Sequence, residues 1–195
     1  MSTNFAVVRA RAPLRLGLAG GGTDLSPYCD QFGGAVLNCT ISRYAHAFIA
    51  PSCDDTVTFV AADIAVNEKL ACNAEIVKTA KLGIHAGVYL RIMRDFNAGH
   101  LLPMTVTSYV DAPPGSGLGS SSALVVALVE AYTTLLALPL GPYDVAHLAY
   151  EIERVDLGLA GGKQDQYAAA SPPWLISSIA PGRRRSGRLR GLATH

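Results

Sequence analysis

No stretch of this chain constrains its fold more than residues 111–123, Asp-Ala-Pro-Pro-Gly-Ser-Gly-Leu-Gly-Ser-Ser-Ser-Ala. Ahead of it, Met104–Val110 alternates and is rich in β-branched residues, which predicts a strand ending at Pro113 and Pro114. Behind it, an apolar, alanine-rich run reaches Leu138 and predicts a helix starting near Ser120. Between the two, Gly115, Gly117 and Gly119 permit positive φ and let backbone N–H groups close on a ligand. Ser120, Ser121 and Ser122 can cap the helix, whose unpaired first-turn N–H groups and dipole favour an anion. Strand, glycine loop and helix start in this order make a phosphate cradle. The same residues also suit a loop that only caps a buried helix.

Two familiar phosphate loops do not fit. A P-loop ends in Gly-Lys-Ser/Thr, and no lysine lies between Lys81 and Lys163. The dinucleotide fingerprint is Gly-x-Gly-x-x-Gly, whereas the spacing here is Gly-x-Gly-x-Gly.

Towards the N-terminus, Phe5–Leu18 alternates apolar and basic residues around Pro13, which predicts a strand that bends. It runs into Gly20, Gly21 and Gly22, then Thr23 and Asp24, an open turn with room for a ligand. Asp24 equally suits an Asx turn or the cap of a short helix. Gly33–Ala50 and Thr56–Ala62 predict antiparallel partners joined across Pro51–Asp55. Arg43, Tyr44 and His46 sit on the first of these and read as structural. Asn73–Phe96 has helical spacing in pieces, split by Gly83 and Gly87.

Beyond the central loop, Pro142 opens another helix, with Val145, Leu148, Ala149, Ile152 and Val155 as one buried stripe. Glu151 and Glu153 fall off that stripe and read as solvated surface. Residues 158–166, Gly-Leu-Ala-Gly-Gly-Lys-Gln-Asp-Gln, form a further glycine-rich turn whose Asp165, taken alone, suits a helix cap.

With 195 residues, half of them apolar and 16% charged, the chain can bury the core of one domain or slightly more. A net charge of +1 gives no general argument for nucleic acid or membrane partners. Cys29, Cys39, Cys53 and Cys72 form no C-x-x-C pair, which speaks against zinc and for free thiols. The chain opens without a basic start and apolar block, and has no apolar run of about twenty residues. A cytoplasmic compartment is expected.

Residues 113–123 closely resemble the ATP loop of the GHMP small-molecule kinases, a long and specific motif. The resemblance covers residues 6 to about 170. It implies an α+β fold, the two-layer, ribosomal-protein-like β/α arrangement of the GHMP-kinase N-terminal domain, with residues 1–170 binding ATP. Pro114, Gly115, Ser116, Gly117, Leu118, Gly119, Ser120, Ser121 and Ser122 would then wrap the ATP phosphates, with Ser122 on Mg2+. Residues 12–24 look like the family's first motif, which implies that Arg15 stabilises transferred charge and that Gly21, Gly22, Thr23 and Asp24 hold substrate. The turn of residues 158–166 resembles the Gly-x-x-x-Asp-Gln element of its sugar kinases, which implies Asp165 as catalytic base. Glu153-Arg154 is similar to the acid-plus-arginine before that element, implying Glu153 as a magnesium ligand. The gap differs by one residue, which leaves Glu151 open. The implied activity is ATP-dependent phosphorylation of the anomeric hydroxyl of a heptose phosphate.

Residues 171–195 leave this pattern. They hold five arginines and no acid in a Pro-, Gly- and Ser-rich context, and disorder is expected. Family members continue into a second domain, so a frame change or truncation after Ala170 would account for the break, and weak or absent turnover is expected. An inactive nucleotide- or sugar-binding remnant is one alternative, and a nucleic-acid-binding module using the arginine tail is another. Residues 1–170, with eleven basic and fifteen acidic side chains and no stacking-aromatic pattern, speak against the latter. Small molecules are the expected partners, with no nucleic acid and no membrane.

Overall fold

Gly34–Pro51 forms the longest strand, β2, and the sheet is arranged about it. This computed structural model describes residues 7–171, 174–180 and 183–187. Strand β1 (Val8–Ala19) runs antiparallel along one edge of β2, with its register shifting between Pro13 and Arg15 where the proline cannot donate. On the other edge, β5 (Met104–Val110) pairs residues 45–51 and β6 (Trp174–Ala180) pairs residues 34–39. Strand β3 (Thr56–Ala61) lies parallel to β5, β4 (Val66–Ala71) closes that side, and β7 (Arg183–Gly187) follows β6.

Two expectations are corrected here. The segment containing β3 does not pair with β2, because β5 lies between them. A parallel β3–β5 pair needs a crossover, and that crossover lays helix α3 (Gly83–Phe96) on the sheet, burying its Ala86, Val88, Ile92 and Met93. The expected disorder after residue 170 is also not found in 174–180 and 183–187. The sequence Trp-Leu-Ile-Ser-Ser-Ile-Ala suits a strand, and residues 34–39 of β2 offer it an edge. The rest of that segment lies outside the described residues.

Helices cover one face of the sheet. Helix α4 (Ser120–Leu135) packs on β1 and β2, with Val125, Val126, Leu128 and Val129 fully buried over Ala45, Ala47 and Ile49. The opposite face carries cation–aromatic pairs, Arg9 on Phe48 and Arg11 on Tyr44. Short helices α1 (Tyr28–Phe32) and α2 (Ala74–Val77) occupy connections. Gly83 begins α3, and Gly87 lies within it without splitting it; a Cβ there would stand 2.8 Å from the Leu157 side chain, so the glycine lets that side chain pack against the helix.

Helix α5 (Pro142–Tyr150) continues into a π-helical turn, Glu151–Asp156, and then α6 (Gln164–Ala170). A π turn adds a residue per turn and rotates everything after it. The expected stripe therefore breaks at its end: Val155 is 68% exposed, while Glu153, expected on the surface, is fully buried. Arg91 of α3 grips this turn from outside, donating to Glu151 Oε2 at 2.6 Å and Asp156 Oδ2 at 2.7 Å.

His85, in the first turn of α3, is buried against Ser108 of β5, with Nε2 2.9 Å from the hydroxyl. Burial pushes its pKa down to about 4 from 6.5, with Glu68 opposing the shift. Between these values the unfolded chain binds a proton that the folded chain refuses, so stability falls as pH drops from 6.5 towards 4 and is flat above. The expected loss is about 3 kcal/mol across that window. Urea unfolding at pH 7, 5.5 and 4 measures it, and His85→Gln should flatten this component.

Candidate functional site

The central loop adopts the conformation its glycines permit, with φ of +78°, +74° and +71° at Gly115, Gly117 and Gly119. Gly119, in the left-handed region, is the N-cap of α4 and no side chain caps the helix. The serines expected to cap are thus free for other work. Pro114, Gly115, Ser116 and Gly117 are exposed, and Leu118, Gly119 and Ser120 half-buried.

Arg15 ties this loop to the third glycine turn. Its backbone N–H donates to Leu118 O at 3.0 Å, and Nη1 donates to Gly117 O at 2.6 Å. Nε and Nη2 both stand 2.7 Å from Asp165 Oδ1. Asp165 Oδ2 has no partner among the described residues. A Cβ on Gly119 would touch both side chains at 3.4 Å, so the loop lies directly against the pair. Three segments far apart in sequence converge here.

Asp24 is 3% exposed, and its Oδ2 accepts from the backbone N–H of Lys163 (2.8 Å) and Gln164 (3.0 Å). It caps a helix, as expected for such a residue, but the helix is α6, about 140 residues away. A Cβ on Gly162 would stand 1.9 Å from Asp24 Oδ2, which is why a glycine is required there. Its Oδ1 is buried without a partner. The Thr23 hydroxyl is spent within its own loop, donating to Gly20 O at 2.7 Å and accepting from Ala35 N. Gly21 and Gly22 face open space.

The buried Glu153 carboxylate accepts from Ser121 Oγ at 2.6 Å and Gln166 Nε2 at 2.6 Å, with Arg154 Nη1 at 3.3 Å. Ser122 points elsewhere: its buried hydroxyl accepts from Arg154 Nη2 (3.3 Å) and Gln166 Nε2 (3.2 Å). The structure thus brings Ser121 rather than Ser122 to Glu153, and leaves Glu151 outside, bound to Arg91. Arg154 further holds the 158–162 turn through the carbonyls of Leu159, Ala160 and Gly162. Sequence reasoning gave Gln166 and Arg154 no bridging role. The signal available in the sequence was the polar Gln166 set directly before the Tyr-Ala-Ala-Ala run. Tyr44 and His46 are engaged with Asp111, whose Oδ2 accepts from Tyr44 N at 2.8 Å. Among the described residues no helix is long and apolar enough to cross a membrane.

A two-layer sheet and helices, with a glycine loop joined by an arginine to an aspartate, defines a class, and comparison agrees. Residues 75–172 match the family model described as GHMP kinases N terminal domain, and the chain belongs to that family. It is 47% identical over 162 residues to a D-glycero-alpha-D-manno-heptose 7-phosphate kinase of Campylobacter jejuni, covering 83% of this chain and 48% of that one. It superposes with a TM-score of 0.88 and 42% identity on a crystal structure of a D-glycero-D-manno-heptose 1-phosphate kinase from Bacteroides thetaiotaomicron, covering 95% of this chain and 60% of that one. A crystal structure of mevalonate kinase shares the fold at 15% identity and a TM-score of 0.76. The chain spans about half the length of the curated relative.

Proposed function

We propose that residues 1–170 bind ATP and magnesium and carry phosphoryl transfer to the anomeric hydroxyl of D-glycero-D-manno-heptose 7-phosphate, forming the 1,7-bisphosphate. The observation that carries this reading is Arg15, which joins the phosphate loop to Asp165. In this reading Gly115–Ser121 cradles the phosphates through backbone N–H groups and the start of α4. The sugar hydroxyl donates to Asp165 Oδ2, the oxygen free of Arg15, and gives up its proton there as its oxygen attacks the γ-phosphorus. ADP leaves with the electrons of the broken P–O bond, and Arg15 meets the charge spread over the transferred group. Gly21, Gly22 and Asp24 border the sugar, and Asp24 acts by holding the start of α6 beside Asp165. The two relatives' names differ in where the substrate phosphate sits. A 1-phosphate blocks the anomeric oxygen, so only the 7-phosphate is compatible with attack from that position. The compartment that suits these soluble substrates is the cytoplasm.

A magnesium ion fits the residues present. Glu153 and Ser121 put two hard oxygen donors 2.6 Å apart at the edge of the loop, with Ser121 exposed. Among the described residues no group of three or more His, Cys, Asp or Glu could hold a metal, so phosphates and water would complete the shell. Bound there, the ion would neutralise phosphate charge. Ser121→Ala should weaken magnesium-dependent ATP binding about tenfold, while Ser122→Ala leaves the magnesium dependence intact. Calorimetry with and without Mg2+ checks this, and the reverse order would return the role to Ser122.

The reading is tested by ADP release with heptose 7-phosphate, heptose 1-phosphate, galactose and mevalonate as acceptors. Turnover with the 7-phosphate alone supports it. Tight magnesium-ATP binding with no turnover on any acceptor would instead favour a binding remnant.

A further inference from the structure

The turn that presents Asp165 also carries a lysine that the transfer step leaves unused. Its backbone is fixed from two sides. Arg154 holds the carbonyls of Leu159, Ala160 and Gly162, and Asp24 Oδ2 accepts from the N–H of Lys163 at 2.8 Å. Gly162 leaves no slack, since a Cβ there would stand 1.9 Å from Asp24 Oδ2. Lys163 therefore starts from a rigid mount, two residues before the aspartate.

From that turn the two side chains diverge. Asp165 reaches towards Arg15 and Gly119, on the side of the phosphate loop. Lys163, half-buried, reaches towards the end of α5, where Nζ lies 5.2 Å from the centre of the Tyr150 ring. Its charge is also felt at Asp30 of α1. The Ser26 hydroxyl chiefly, and the Cys29 thiol and Lys163 more weakly, hold that carboxyl below its ordinary value against the effect of burial. Asp30 is committed to Ser26 and Cys29, and among the described residues Lys163 makes no ion pair. The other two cations of the site are spent, Arg15 on Asp165 and Arg154 on Glu153. A half-buried ammonium with a ring beside it has lost part of its hydration and has no counter-ion in return, so it favours an arriving anion.

We propose that Lys163, steadied by the Tyr150 ring, grips the 7-phosphate of the sugar, and that this contact selects a phosphorylated heptose over a free one. The proposal rests on the reading of Asp165 as the base at the anomeric hydroxyl. The anomeric carbon and C7 stand at opposite ends of the sugar. A molecule whose anomeric oxygen meets Asp165 must therefore carry its phosphate away from the loop, and Lys163 leaves the turn on that other side. Two Cα–Cα steps put the mounts of the two side chains at most about 7.6 Å apart, and the four-carbon stem of the lysine adds reach. A phosphate monoester carries close to about two negative charges at neutral pH. An ammonium meets it with three donors and a point charge, without requiring one fixed orientation of the sugar's flexible tail.

The test is calorimetry on the 195-residue chain with D-glycero-D-manno-heptose 7-phosphate and with the same heptose lacking the phosphate. Wild type, Lys163→Gln and Lys163→Arg are measured, with thermal melts and magnesium-ATP binding to confirm the fold. Wild type should prefer the phosphorylated sugar, and the preference should shrink as salt rises. Lys163→Gln should lose about tenfold in affinity for the 7-phosphate, the size of one charge-assisted hydrogen bond, with the free heptose unchanged. Lys163→Arg keeps the charge and should keep most of the preference. Unchanged affinity for the 7-phosphate in Lys163→Gln, or equal losses for both sugars, overturns the proposal. A wild type that binds the two sugars alike overturns it while leaving the reading of the anomeric site standing. Binding of magnesium-ATP with neither sugar removes both.

Discussion

Glu153→Ala is expected to lower the unfolding free energy by about 3 kcal/mol, whereas Glu151→Ala, two residues away, should cost less than about 1 kcal/mol. The difference lies in what each removal strands. Glu153 is fully buried, and its loss leaves the Ser121 hydroxyl without its acceptor and Arg154, whose side chain is 10% exposed, without its carboxylate. Breaking a buried pair from one side costs about 3–5 kcal/mol, because the remaining charge stays desolvated. The expectation sits at the low end because Arg154 still donates to the carbonyls of Leu159, Ala160 and Gly162, and Gln166 still reaches Ser122. Glu151, by contrast, has a 36% exposed side chain and shares Arg91 with Asp95 and Asp156, so solvent and two other carboxylates compensate. Urea denaturation of both variants measures the difference. Equal losses would show that the π turn does not bury Glu153 in solution. The same Glu153→Ala protein should also bind ATP with affinity independent of magnesium.

The π turn also shows where a linear reading fails. Strand β5, the loop and α4 follow directly from local chemistry: β-branched alternation, two prolines, three glycines at positive φ, and a long apolar run. The helix opened by Pro142 is equally local. A period of 3.6 residues, carried unchanged past Tyr150, puts Val155 inside and Glu153 outside, and one extra residue in the turn reverses both. Nothing in the composition of Glu151–Asp156 announces that insertion. Its causes are tertiary, namely Arg91 outside and the Ser121–Gln166 acceptor demand inside. The position of β3 beside β5, and the capping of α6 by Asp24, are likewise pairings across large sequence separations that no local propensity encodes. Strand β4, Val-Asn-Glu-Lys-Leu-Ala, is not announced by its pattern, because on this edge strand the charged Glu68 stands between Val66 and Leu70 on the half-buried side, where it accepts from the N–H groups of Lys81 and Leu82 and weakens the hydrophobic alternation. In the candidate site, Arg15, the glycine loop and Asp165 meet across large sequence separations, and which of Ser121 and Ser122 faces Glu153 is set by the rotation of α4, which no local pattern gives.

Asp165→Asn should reduce phosphoryl transfer by about 10^2–10^4-fold while leaving nucleotide binding intact or tighter. Asparagine keeps the shape and can still accept one hydrogen bond from Arg15, so the loop contact through Gly117 O persists. What it cannot do is take a proton at the position of Oδ2. Its neutrality has a second consequence. The carboxylate lies against Gly119, beside the cradle for the phosphates, and there it repels a polyphosphate and occupies Arg15. Removing that charge frees the guanidinium for the ligand, so the dissociation constant for magnesium-ATP should fall or stay level. A merely structural aspartate predicts the opposite, a parallel loss of binding and transfer as the loop loosens. Single-turnover transfer and ATP calorimetry on the same preparation separate the two. Retained transfer would remove Asp165 as the base, and lost binding would make it a brace for the loop. Loss of transfer with binding preserved is the pattern required if the Arg15–Asp165 contact is a catalytic pair.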